Sequence, residues 1–152
     1  VELGLFDEVG EALRGLVPAE LGDIRCRARR YGLKVWFGGE VPAKEHYEAQ
    51  VIGANAVADA TVLALELGLH VEYPKEAENA AVLAHLLTGS KAWRRTLGDE
   101  AESGPFLGGR DDWRRVSETW PDPDLDDPGL ALEIAARLTD YISALEPLRR
   151  GR

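Results

Sequence analysis

Five residues could do chemistry together: His46 and Glu48 in the run EHYEAQVI, and Glu66, His70 and Glu72 in the run TVLALELGLHVEY. Within each run the spacing is even, so if both runs are strands all five side chains leave from one face. Two imidazoles and two or three carboxylates on one small area can bind a divalent metal. They can also hold a carboxylate pair with separated pKa values for acid and base work. Paired strands bring facing Cβ atoms to ~5 Å, close enough to share an ion. The spacing matches none of the recognised local metal signatures, however, and His-x-Glu on a strand is common by chance. No resident metal and no cofactor is therefore expected, and Glu48, Glu66 and His70 stand only as candidate catalytic residues.

The same face supports two further readings. Arg25, Arg27 and Arg29 on one strand and glutamates on another can form cross-strand ion pairs, each worth under about 1 kcal/mol on a solvated sheet. Alternatively the face is a contact surface. Trp36, read as exposed, is an apolar anchor among charges, and Arg25, Arg27, Arg29, His46 and Glu72 surround it as binding residues. In a simple meander the basic and acidic strands lie at opposite margins, which gives two copies related by a two-fold axis a reason to associate.

The elements that must position these residues are legible from periodicity. Leu3, Phe6, Val9, Leu13 and Leu16 recur at helical spacing before Pro18. Ile24, Cys26 and Ala28 alternate with the three arginines; a Tyr31-Gly32 turn follows, and Leu33, Val35 and Phe37 alternate with Lys34 and Trp36. A third strand is expected over His46 to Ile52. The fourth follows Ala60 and carries Leu63, Leu65, Leu67, Leu69 and Val71 on the register opposite Glu66, His70 and Glu72. Pro74 opens a helix, Ser90 caps a shorter one, and Asp99 to Asp112 read as an exposed loop. Trp113 to Trp120 fits either class and reads better as an edge strand, because Pro121 and Pro123 stop it. Asp127-Pro128 opens the closing helix, whose stripe is Leu130, Ile134, Leu138, Tyr141, Ile142 and Leu145.

Composition narrows the functions. With 27 acidic against 18 basic residues the formal charge is −9, which makes nucleic-acid binding improbable and argues against anionic lipid. Cys26 is the only cysteine, so no internal disulfide is possible and the residue reads as a small buried apolar one. No apolar run reaches the ~18 residues that a membrane span needs, and no charged-then-apolar leader opens the chain; the expected location is the cytoplasm. Gly38-Gly39 and the run GPFLGGR read as turns, Asp122 to Asp127 as a solvated turn without a calcium-loop pattern, and Arg94-Arg95 and Arg114-Arg115 as ordinary surface. His85 reads as helix packing.

The order α-β-β-β-β-α-α-(β)-α implies one α+β domain over residues 1–152, an antiparallel sheet of four to five strands with helices on one face. The acidic, small α-β-β-β-α order within it resembles secretion-chaperone-like domains, and the resemblance, which is of element order alone, implies dimerisation and protein partners. The functional expectation is a non-catalytic binding or self-associating module acting through the polar sheet face. The alternative is a metal-assisted hydrolase built on the His/Glu cluster.

Overall fold

The structure, a computed structural model, describes residues 4–152. Leu3, the first residue of the expected helical stripe, lies outside them. Helix α1 (Leu5–Leu16) leads into strands β1 (Ile24–Arg29), β2 (Gly32–Phe37), β3 (Glu45–Gly53) and β4 (Leu63–Val71), then helices α2 (Glu76–Thr88) and α3 (Ser90–Leu97), strands β5 (Glu102–Pro105) and β6 (Arg114–Pro121), and helix α4 (Leu130–Arg150). All strand pairs are antiparallel, in the order β1-β2-β3-β4-β6-β5. The helices lie on one side, as the α+β expectation requires.

Burial explains the side the helices take. Leu65, Leu67 and Leu69 are fully buried, as are Val35, Ala49 and Val116 on neighbouring strands. They meet Phe6, Val9 and Leu13 of α1 and Ile134, Leu138 and Ile142 of α4 in a single core. Alternation alone achieves this, because every second residue of a strand shares a face.

Several expectations change. Six strands form, not four or five, because β5 lies within the stretch read as a loop. β6 is a strand but not an edge one: β5 pairs along its outer side and takes the margin. Strand β4 lies inside the sheet, so the two margins do not carry the opposite charges that the dimer expectation needs. The second helix begins at Glu76, after Pro74, because Asn79 holds the entry: its side-chain oxygen accepts the Tyr73 N–H at 2.7 Å and its amide donates to the Tyr73 and Asp112 carbonyls. The closing helix begins at Leu130, where Asp127 accepts the Gly129 N–H instead of capping directly.

Buried carboxylates fasten α4 to the sheet. Glu118 accepts from the Tyr141 hydroxyl at 2.8 Å and from Arg137 at 2.9 Å. Glu146, which is fully buried, accepts from the Tyr47 hydroxyl, Arg149 and Arg150. Arg149, Arg150 and Arg152 thus do more than complement the helix dipole: Arg149 and Arg152 also pair with Glu45.

Candidate metal centre

The register sets out the polar face in rows, since directly opposed residues share a face. Arg27, Lys34, Glu48, Gly68 and Ser117 form one row, His46, His70 and Arg115 the next, and Arg29, Gly32, Gln50, Glu66 and Thr119 a third. Glu72 extends β4 by one bond, its N–H reaching the Lys44 carbonyl at 2.8 Å, and alternation puts its side chain beside His70.

Four of these side chains converge. His46 Nε2 lies 2.9 Å from Glu48 Oε1 and 3.2 Å from Glu72 Oε2. His70 Nδ1 lies 3.3 Å from the same two oxygens. One atom from each residue can be chosen so that all four fall within 4.8 Å of one another. A first-row divalent ion takes nitrogen and oxygen donors at ~2.1 Å, which sets neighbouring donors roughly 3.0 Å apart in an octahedron and roughly 3.4 Å apart in a tetrahedron. The four nitrogen–oxygen separations fall near those edges, so these side chains are spaced for a shared ion.

The outer nitrogens are already committed. His46 Nδ1 is 2.8 Å from the Ala43 carbonyl, which can only accept, so this nitrogen carries a proton. His70 Nε2 lies 2.9 and 2.8 Å from the two oxygens of Glu66, and Gln50 donates to that carboxylate at 2.9 Å. Each imidazole therefore has its outer N–H fixed and its other nitrogen aimed at Glu48 and Glu72. A carbonyl or carboxylate behind each ligating histidine is the usual support of a metal site, because it sets both tautomer and ring angle.

Electrostatics shows how the cluster balances its charge. Burial alone would lower the His46 and His70 pKa values, but the facing carboxylates outweigh it and hold both above the ordinary imidazole range, His70 well above. Burial would raise Glu48, Glu66 and Glu72; the imidazoles outweigh it, taking Glu48 down to about 2 and the other two below their usual range. Three ionised carboxylates thus demand positive charge at their centre, from protons on both rings or from a metal cation. His70 is 0% exposed, and His46 and Glu66 each 2%. Charged groups so buried cost several kcal/mol each to desolvate, and apolar residues would fill the space more stably. Buried, strongly shifted groups of this kind cluster at functional sites.

The approach is from the carboxylate side, where the Glu48 and Glu72 side chains retain 12% exposure against 1% for each histidine. Two depressions of about 320 Å³ flank the cluster, one reaching Glu48 and the other Glu66, with Gln50 on the wall of both. Phe106, from the β5–β6 connection, sets its ring against His70 at 4.5 Å between centroids, with Trp113 behind it.

All five His/Glu candidates are brought together; the other predicted binding residues are not part of the cluster. Arg25, Arg27 and Arg29 stand exposed on edge strand β1. Two strands separate them from β4, so the cross-strand pairs with its glutamates do not form. Trp36 is 4% exposed rather than open to solvent: its indole N–H donates to the Gly39 carbonyl at 3.1 Å, and the Arg27 guanidinium lies 5.9 Å from its ring. It is a wall of the face, not an anchor projecting from it. Sequence reasoning did not single out the Ala43 carbonyl, Gln50 or Phe106 as part of the site, since a carbonyl or a loop aromatic carries no local signal for a site assembled by distant strands.

The remaining motifs are structural. The Asp122 carboxylate accepts the N–H groups of Thr61, Val62 and Leu63, a clasp between β4 and β6. Burial raises the Cys26 thiol pKa against the pull of Arg14, the opposite of activation. His85 bonds the Leu148 carbonyl at 3.0 Å, and Arg115 is buried against Ser117. The chain matches no protein-family model, no curated protein and no solved structure.

Proposed function

We propose that this protein is a metal-dependent hydrolase, holding one divalent ion with His46 Nε2, His70 Nδ1 and the carboxylates of Glu48 and Glu72. The observation that carries this reading is the convergence of four donor atoms, two of them imidazole nitrogens whose rings are already fixed by outer hydrogen bonds. Two nitrogens and two carboxylate oxygens suit zinc, manganese, iron(II) or cobalt. Glu66 and the Ala43 carbonyl orient the two rings. Bound at this place, the ion supplies Lewis acidity and lowers the pKa of a coordinated water toward ~7, which makes a nucleophile at neutral pH. Four protein donors would leave room on such an ion for a water or a substrate oxygen. Glu48 and Glu72 face the open side, so an ion held there would be reached from solvent. Since a lone unbridged cysteine suits a reducing compartment, we place this activity in the cytoplasm.

The test is metal uptake by the full chain. After chelation and dialysis against zinc, manganese or cobalt, one ion per chain is expected by elemental analysis, and His70→Ala or Glu72→Gln removes it. A folded chain that takes up none of these ions stoichiometrically sinks the reading. A second reading, a self-associating or protein-binding module, draws support from the unpaired outer edge of β1, where the arginines stand exposed. It predicts a dimer or captured partner whose formation is indifferent to metal and to His70→Ala.

A further inference from the structure

We infer that the substrate of this metal centre is a small phosphate ester, its phosphate held by Arg27, Arg29 and Lys34 in the groove beside Glu48. The inference rests on the hydrolase reading for the reaction, but the anion site stands on its own observations.

The groove, of about 320 Å³, runs along β1, β2 and β3, and its wall includes Arg27, Arg29, Arg30, Lys34 and Glu48. Four cations therefore gather beside a metal ligand on a chain whose net charge is −9. Several basic side chains elsewhere are tied to acids, as Arg114 is to Glu76, Arg137 to Glu118, and Arg149 and Arg150 to Glu146, and it is the gathering of the groove cations in one place that sets them apart. Among the described residues no ion pair involves Arg27, Arg29 or Arg30. Lys34 is tied only loosely, 3.9 Å from Glu72, so its ammonium sits between the groove and the cluster.

The register explains the gathering. Arg27 is opposite Lys34 and Lys34 opposite Glu48, so one row of the sheet runs from a guanidinium through an ammonium to a metal ligand. In the next row Arg29 faces Gly32 and Gly32 faces Gln50. A Cβ on Gly32 would stand 3.2 Å from the Ala49 carbonyl and 3.3 Å from Gln50 Cβ, so the glycine keeps the floor low between the arginine and the glutamine. Tyr31 stands at the rim, 58% exposed.

Two guanidinium groups and an ammonium suit a doubly charged tetrahedral oxyanion better than a single carboxylate, because the fork of arginine bonds two phosphate oxygens at once. The exposed tyrosine suits the organic part of an ester. The volume admits a small molecule, and the −9 charge opposes a polyanion such as nucleic acid. In the reaction, a water oxygen bonds to phosphorus as the ester P–O bond breaks, and a proton from the water ends on the leaving alcohol oxygen.

Titration of the metal-free full chain with inorganic phosphate, followed by calorimetry, tests the anion site without the reaction. Saturable binding is expected, weakened about tenfold or more in Arg27→Ala/Arg29→Ala and again in Lys34→Gln, and retained in His70→Ala. With metal restored, hydrolysis of p-nitrophenyl phosphate is expected from the wild-type chain and lost in His70→Ala and in the double arginine variant. Both arginines are exposed, so their removal leaves the fold intact, which circular dichroism checks. Phosphate binding unchanged by the arginine substitutions overturns the inference, as does acetate or a single-stranded oligonucleotide binding more tightly than phosphate. Arginine-dependent phosphate binding in a chain that takes up no metal supports the anion site and removes only the hydrolase reading.

Discussion

Glu66 shows how the fate of one side chain depends on what lies beyond it. Its carboxylate contacts no proposed metal position; it grips His70 Nε2 with both oxygens and is itself held by Gln50. Glu66→Gln keeps the shape but weakens the support behind the ring, and such losses typically cost 10- to 100-fold in metal affinity. Competition with a chromophoric chelator should show that drop, with the stoichiometry still one at saturating metal. The affinity also has a required pH dependence. Metal must displace the protons that the carboxylates hold on His46 and His70, whose pKa values lie above the ordinary range, so uptake strengthens as pH rises and weakens as it falls. Uptake flat between pH 5.5 and 8 would count against imidazole ligands.

Among the elements, β4 is the demanding one. Gly68 sits at φ +149°, opposite Glu48 on one side and Ser117 on the other, and a Cβ there would lie 2.3 Å from the Val116 carbonyl. Only glycine lets β6 come this close, and β6 is what encloses the His70 end of the cluster. Gly68→Ala should cost about 1–3 kcal/mol or more from strain and displaced backbone, and should weaken metal uptake as well as lower the urea midpoint. Helix α4 carries a different liability in Glu146. Burial raises its pKa, but Arg149 and Arg150 outweigh that and the net shift is downward from 4.5. A lowered pKa in the folded state contributes stability that is fully present above about pH 4.5, the unfolded value, and is lost as pH falls through the folded one. Glu146→Gln should therefore flatten the acid limb of the stability profile, and at pH 7 cost about 1–3 kcal/mol by leaving the Tyr47 and arginine donors poorly matched. An unchanged acid limb would show that the carboxylate is not ionised where it sits.

At the scale of the molecule, the fold divides labour between its two sheet faces. The leucine face and the helices supply the core, while the opposite face gathers buried charge that is costly to desolvate. Metal should therefore stabilise the whole domain. At a free concentration 100 times its dissociation constant the gain is ~2.7 kcal/mol, or roughly 5–10 °C in melting temperature for a chain of this size. His70→Ala should abolish that shift. No helix among the described residues is long and apolar enough to cross a membrane.

The sequence by itself determined the α+β class and the two-faced character of the first four strands. Period-two alternation in 63–71 and 24–37 depends only on the pleat, so it states which side chains share a face before any strand has a neighbour. That is why His46, Glu48, Glu66, His70 and Glu72 could be assigned to one side as a set. Only the tertiary structure decided which strands are neighbours. It put β4 inside the sheet rather than at its margin, slid β5 and β6 in beside it, and turned Trp36 from an expected anchor into a wall. It also set His46 directly against His70, and brought the Ala43 carbonyl and Glu66 behind the two rings. Strand order and register are settled by long-range packing and backbone pairing, which leave no periodic trace in the chain, so the candidates were legible residue by residue while their convergence was not.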